Sequence, residues 1–168
     1  MRKGLIWAVL AVAVPASGAE IGKGQVAVVA FISARCPVSN VYGDRLETIY
    51  ADYSARGVKF LFLNPNVNES GGEIAENAKR HGYKFPVERD LNGELAMKLG
   101  AEFTPEVYVL DKDGSVRYHG GIDDAQNPAR VKTQSLRLAL DAVLAGKSVA
   151  APVTKAFGCT IKRPRRAE

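Results

Sequence analysis

The stretch that decides the fold is residues 25–40, QVAVVAFISARCPVSN, in which an apolar run passes directly into a cysteine and a proline. The run is continuous and rich in valine, which is typical of a strand buried on both faces of a sheet. After Pro37, apolar side chains recur every three or four residues as far as Tyr53, and Gly57 ends this helical pattern. The stretch therefore predicts an interior strand followed by a helix that begins at or beside Cys36.

The rest of the chain continues the alternation of strands and helices. Residues 58–63, VKFLFL, form a second apolar run, and residues 73–81 have helical spacing after a turn-rich loop. Residues 106–110 and 115–119 flank the turn sequence DKDG, which predicts an antiparallel hairpin. A last helix is predicted for residues 131–144. Because strands that alternate with helices form parallel pairs, the sequence predicts an α/β fold with a central mixed β-sheet flanked by helices.

A short strand and helix form an insertion between residues 85 and 100. The segment FPVERD suits an edge strand because proline cannot donate to a sheet ladder, and residues 92–99 suit a short helix that ends at Gly100. A chain of 168 residues with 46% hydrophobic residues is long enough for one domain. We predict that this domain comprises residues 20–146, and that residues 147–168 form a tail without a clear helical or strand pattern.

Residues 1–19 have the pattern of a secretory signal peptide. Arg2 and Lys3 precede a ten-residue apolar run, and small residues at Ser17 and Ala19 suit cleavage near Ala19. The run is too short to cross a bilayer, which takes about 20 residues, so no membrane span is expected after cleavage. We therefore expect a periplasmic or secreted protein.

Charge and metal-ligand content exclude several functions. The formal net charge of +5 falls to about +3 without Arg2 and Lys3, which is too small to indicate nucleic-acid binding. The basic cluster at residues 162–166 is typical of a solvated chain end. The two histidines, His81 and His119, stand at no recognisable metal-ligand spacing, so neither a metal nor a cofactor is expected.

Cys36 and Cys159 are the only cysteines, so each is the other's only intramolecular partner. Export lets disulfides persist, and three states stay open. The cysteines could form a reversible redox pair or a structural disulfide worth about 4 to 5 kcal/mol in the chain-entropy model, or they could form no bond, with Cys36 acting alone or binding a soft metal. The start of a helix favours the reactive thiolate of Cys36, and Arg35 and Ser39 add a nearby cation and hydrogen-bond donors. A redox pair further predicts a tail that leaves when the bond is reduced.

The segments VVAFISARCPVSN, FPVERDLNGELAMKLGAEFTPEVYVLDKDG and YHGGIDD together resemble the thioredoxin-like superfamily. Within it, the chain is most similar to the exported redoxin (AhpC/TSA-like) group, which is related to peroxiredoxins and to periplasmic thiol-disulfide oxidoreductases. The resemblance implies that Cys36 is the nucleophile and that Pro37 follows it as in many thioredoxin sites. It also implies that Thr104 and a cis-proline, Pro105, dock an extended substrate. Ser39 stands where thioredoxins have their second cysteine.

The resemblance implies an exported thiol-disulfide oxidoreductase in which Cys36 attacks. Since Ser39 cannot resolve the mixed disulfide, Cys159, the only other cysteine, is the possible resolving thiol. The partners of this oxidoreductase would be a protein or small-molecule thiol or disulfide substrate and a thiol electron donor. One alternative is a peroxiredoxin-like thiol peroxidase with antioxidant activity, in which Cys159 condenses with a sulfenic acid on Cys36. Peroxiredoxins place an arginine of the sheet against the sulfur, and Arg117 is the candidate here. Another alternative is a non-catalytic binding module with a structural Cys36–Cys159 disulfide.

Overall fold

The protein is described over residues 21–164 by a computed structural model, in which strands and helices alternate along the chain. The strands are β1 (Ala27–Phe31), β2 (Lys59–Asn64), β3 (Val87–Arg89), β4 (Phe103–Thr104), β5 (Glu106–Leu110), β6 (Val116–Gly120) and β7 (Cys159–Thr160). The helices are α1 (Pro37–Val41), α2 (Gly43–Ser54), α3 (Gly71–His81), α4 (Glu94–Leu99) and α5 (Ser135–Leu144). Within this range no helix combines the length and the apolar character needed to cross a bilayer. The signal peptide predicted for residues 1–19 lies outside the described residues.

β1 is the central strand of a five-stranded sheet with the order β3-β2-β1-β5-β6. It pairs in parallel with β2 and antiparallel with β5, and all five of its residues are fully buried. Val28 and Ala30 pack into a core that includes residues of α2 and α5, whereas Val29 and Phe31 pack against α4 on the other face. The predicted interior strand and the predicted mixed sheet are therefore confirmed.

The helix predicted after Cys36 is two segments, α1 and α2, that meet at Tyr42. Tyr42 is buried, and its hydroxyl donates to the carboxylate of Asp123 at 3.0 Å. Gly43 starts the second segment, and a Cβ there would lie 2.7 Å from the ring of Tyr83. The apolar spacing runs through this junction without a break, so it cannot reveal that the helix is divided.

The later elements lie close to their predicted positions. β3 is the predicted edge strand and pairs in parallel with β2, and α4 ends at Gly100, which has the left-handed φ of 78°. β5 and β6 form the predicted antiparallel hairpin. α5 begins later than predicted because residues 128–130 form a separate 3-10 turn and residues 131–134 are not helical.

The segment that follows α5 packs back onto the domain. The N–H of His119 donates to the carbonyl of Pro152 at 2.9 Å, and the N–H of Thr154 donates to the carbonyl of His119 at 3.1 Å. Gly120 permits this approach, since a Cβ there would lie 2.2 Å from the carbonyl oxygen of Thr154. Further on, β7 pairs antiparallel with β4. β7 is not predicted from the sequence, because a strand of two residues has no period to detect.

Ser70 caps α3 through a reciprocal pair of hydrogen bonds with Glu73. The Ser70 hydroxyl accepts from the Glu73 N–H at 3.2 Å, and the Ser70 N–H donates to the Glu73 carboxylate at 2.9 Å. We expect Ser70→Ala to lower the free energy of unfolding by about 1 kcal/mol in urea denaturation. Ser54→Ala is the matched control, because the Ser54 hydroxyl has no hydrogen-bond partner among the described residues. Its effect should stay below about 0.5 kcal/mol, and equal losses would contradict the capping role.

Candidate active site

Cys36 lies just beyond the end of β1 and is the N-cap residue of α1. Its Sγ accepts a hydrogen bond from the N–H of Ser39 at 3.4 Å, and its thiol donates to the carbonyl of Thr104 at 3.1 Å. Pro37 occupies the first helical position, where no N–H is needed. The residue is only 2% exposed. The expectation that a helix begins beside Cys36 is confirmed, and Ser39 supplies a backbone donor that can stabilise an anionic sulfur.

Ser39 contacts the sulfur of Cys36, whereas the side chain of Arg35 binds Glu73. The Ser39 backbone contacts the sulfur, while its hydroxyl oxygen accepts from the N–H of Ser33 at 3.0 Å. The Arg35 side chain is half exposed, and its Nε donates to Glu73 of α3 at 3.1 Å. A hydrogen bond from the Ser70 backbone, followed by one from the Arg35 side chain, lowers the pKa of Glu73 to about 2. The cation expected beside the sulfur is therefore paired with Glu73.

Cys159 is brought to Cys36 by the pairing of β7 with β4. Thr104 accepts a hydrogen bond from the Cys36 thiol through its carbonyl, and it is the residue that pairs with Cys159 in the ladder. The peptide bond between Thr104 and Pro105 is cis. The Thr104 hydroxyl also donates to the Cys159 carbonyl at 3.4 Å. Burial raises the pKa of the Cys159 thiol to about 11, with smaller contributions from a hydrogen bond with Cys36 and from the charge of Cys36. The two cysteines of the chain are therefore neighbours, and both are free thiols.

The tail is docked while both thiols are free, so the expected release of the tail on reduction does not match the structure. Ile161 is only 5% exposed, and its N–H donates to the Glu102 carbonyl at 2.9 Å. The N–H of Lys162 donates to the side-chain oxygen of Asn66 at 2.7 Å. These contacts hold the chain beside Cys159 without any contribution from a disulfide.

Glu69 is a buried carboxylate that no sequence pattern indicates. It is 3% exposed and accepts hydrogen bonds from the Ser33 hydroxyl at 2.6 Å, the Ala34 N–H at 2.7 Å and the Asn64 amide at 2.8 Å. The Ser33 hydroxyl oxygen in turn accepts from the Cys36 N–H at 3.1 Å. Glu69 therefore fixes the loop that carries Cys36. Its segment is a polar, turn-rich loop, and such a pattern does not indicate which carboxylate becomes buried.

Arg117 lies far from Cys36 along the sheet. Leu110 of β5 pairs with both Val116 and Ala27, so across β5 the start of β6 is level with the first residue of β1, whereas Cys36 follows the last. Arg117 is mostly exposed and forms an ion pair with Asp111 of the hairpin turn. Arg117 therefore does not lie against the Cys36 sulfur, which the peroxidase alternative would require. Within residues 21–164, no group of three or more His, Cys, Asp and Glu side chains could hold a metal ion.

The sheet, its helices and a cysteine between the central strand and the next helix define a thioredoxin-like fold, as the sequence predicts. Residues 14–119, more than half of the chain, match the AhpC/TSA family, and the chain belongs to this family. The matched residues include Cys36 but end before Cys159.

The chain is also similar to individual proteins, one of which is a thiol-disulfide oxidoreductase. It is 30% identical over 71 residues to the thiol-disulfide oxidoreductase ResA of Bacillus thuringiensis, covering 42% of this chain and 40% of that protein, so it spans less than half of this relative. A hypothetical protein from Sinorhizobium meliloti has 33% identity and a TM-score of 0.76, over 87% of this chain and 84% of that one. A secreted disulfide oxidoreductase of Mycobacterium tuberculosis, with 20% identity, shares the fold at a TM-score of 0.55, over 71% and 83% of the two chains.

Proposed function

We propose that the chain is an exported thiol-disulfide oxidoreductase whose redox centre is the pair Cys36 and Cys159. The observation that carries the proposal is that both cysteines lie against Thr104, whose carbonyl accepts from the Cys36 thiol and which pairs with Cys159 in the ladder. Cys36 supplies the nucleophilic thiolate, and Cys159 is the thiol with which it forms an intramolecular disulfide. The partners are thiol and disulfide substrates and a thiol electron donor.

Each remaining residue predicted for the site has a role in this proposal. As a thiol, Cys36 donates to the carbonyl of Thr104; as a thiolate, it would lose that bond but keep the one that it accepts from the Ser39 N–H. Ionisation therefore frees the sulfur from Thr104. Pro37 starts the helix that holds this N–H in place, and Pro105 follows the strand residue against which the sulfur lies. Arg35 acts indirectly, since its ion pair with Glu73 ties the loop to α3.

Export is the part of the proposal that rests on sequence. The first 19 residues have the pattern of a secretory signal, and a structural relative from Mycobacterium tuberculosis is described as secreted. An oxidising compartment suits a redox pair because the disulfide persists until a thiol donor reduces it.

The reduction potential separates a redox pair from a structural crosslink. We expect equilibration in glutathione buffers to give a potential above about −300 mV, since structural disulfides of secreted proteins typically lie below that value. Mass spectrometry after alkylation would count the free thiols, and Cys159→Ser, which cannot form the bond, is the control. A potential well below this value would make the bond structural. Faster oxidation of the dithiol by hydrogen peroxide than by oxidised glutathione would favour a peroxidase.

A further inference from the structure

We infer that small thiols exchange with this redox centre at the sulfur of Cys159, and that β7 shields Cys36 from direct attack. The inference rests on the proposed redox pair and names its substrate class: low-molecular-weight thiols and their disulfides, rather than an extended polypeptide bound along Thr104. It reverses the order expected from the resemblance, in which the outside partner is joined to Cys36.

The first observation is that the docking edge expected for an extended substrate is already occupied. Thr104 is paired with Cys159, and the N–H of Ile161 donates to the carbonyl of Glu102 at 2.9 Å. The approach is so close that a Cβ on Gly158 would lie 2.0 Å from the carbonyl oxygen of Thr104. A polypeptide strand could bind β4 only by displacing β7.

The second observation is the unequal exposure of the two sulfur-bearing residues. Cys36 is 2% exposed and lies against Thr104, whereas Cys159 is partly exposed. A thiolate attacks one sulfur of a disulfide from the side opposite the other sulfur. In a Cys36–Cys159 bond, Cys159 would therefore be the more accessible sulfur, and the positive charge of Lys162 is close enough to act on its thiol.

The exchange step follows from this geometry. A small thiolate attacks the Cys159 sulfur, a new bond joins the two sulfurs, and the Cys36–Cys159 bond breaks with its electron pair passing to Cys36. The Ser39 N–H is in place to hold the resulting thiolate. A second small thiolate then attacks the sulfur of the first, releases Cys159, which takes up a proton, and leaves a small-molecule disulfide. The protein disulfide is reduced by two electrons, and two small thiols are oxidised.

Leaving-group chemistry favours the same direction. A thiol of lower pKa leaves faster in thiol-disulfide exchange, and burial, the largest cause, raises the pKa of the Cys159 thiol. Attack on Cys36 would have to expel this poor leaving group. Attack on Cys159 expels Cys36 instead, and the Ser39 N–H can hold the expelled thiolate. The mixed disulfide on Cys159 should therefore exceed that on Cys36.

Trapping tests the order of exchange directly. Oxidised wild-type protein is mixed with glutathione, quenched with acid after short times, and mapped by peptide mass spectrometry. We expect the transient glutathione adduct on Cys159 to exceed that on Cys36 by at least about tenfold. A majority of adduct on Cys36 would overturn the inference. A wild-type protein that forms no internal disulfide under oxidising glutathione would overturn the proposed function, and with it the order of exchange.

A second experiment measures the shielding without using the internal disulfide. In Cys159→Ser protein, where Cys36 is the only thiol, adding Gly158→Ala should speed reaction with oxidised glutathione by at least about tenfold, because the added Cβ forces β7 from Thr104. Gly71→Ala, which meets no atom within 4 Å, is the matched control. Ile161→Asp removes the buried anchor of the tail and serves if Gly158→Ala does not fold. Equal rates in every folded variant would show that β7 does not shield Cys36.

Discussion

Replacing Cys36 with serine should lower the catalysed exchange between glutathione and hydroxyethyl disulfide by about 10³-fold or more. A serine hydroxyl is not ionised near neutral pH and cannot form a disulfide, so both the nucleophile and the redox centre are lost. Ser39→Ala is the control, because it keeps the backbone N–H that contacts the sulfur and loses only the hydroxyl that accepts from Ser33. Its rate should fall by less than about tenfold, the equivalent of one hydrogen bond.

Cys159→Ser completes the comparison. Because Cys36 then has no internal partner, turnover should fall as far as in Cys36→Ser, although the single remaining thiol can still be modified. Turnover that survives in Cys36→Ser at more than about a tenth of the wild-type rate would mean that the chemistry lies elsewhere. Turnover that survives only in Cys159→Ser would make Cys36 sufficient by itself and would exclude the proposed redox pair.

Replacing Glu69 with alanine should destabilise the protein by about 3 kcal/mol or more, the largest loss of stability that we expect from a single polar side chain. The carboxylate is 3% exposed, and its removal leaves the Ser33 hydroxyl, the Ala34 N–H and the Asn64 amide without their acceptor. Urea denaturation at neutral pH measures the change. Glu69→Gln, which keeps one acceptor oxygen and the side-chain volume, should lose less.

The control for Glu69 is Glu76→Ala. Glu76 is mostly exposed and forms an ion pair with Arg80 one helical turn away, so its loss should change stability by less than about 0.5 kcal/mol. If the alanine variants at positions 69 and 76 were equally stable, water would have replaced the buried carboxylate as the acceptor. Glu69 would then not fix the loop that carries Cys36.

The elements that could be predicted are those that carry their signal in adjacent residues. β1 is a continuous apolar run because both of its faces are buried, and the proline after Cys36 marks the start of α1. The β5–β6 hairpin follows from its turn sequence. Since the cysteine stands between a predicted strand and a predicted helix, the position of Cys36 in the fold could be predicted from local patterns alone.

The parts of the site that could not be predicted depend on contacts between distant segments. Cys159 reaches Cys36 through a two-residue strand, whose position depends on the close fit of Gly158 against Thr104. Glu69 is buried by donors from two other segments, and Arg35 binds a helix rather than the sulfur. Local sequence patterns carry no information about such pairings, because each partner alone looks like an ordinary loop residue.

The segment between α5 and β7 also covers part of an edge of the sheet. β6 ends the sheet, and an open strand edge is a template on which another chain can pair and aggregate. Here the backbone N–H and carbonyl of His119 are taken by Pro152 and Thr154 of the same molecule. The opposite edge, β3, is only three residues long and has two exposed charged residues. One continuous C-terminal segment therefore both covers the β6 edge at His119 and carries the second cysteine.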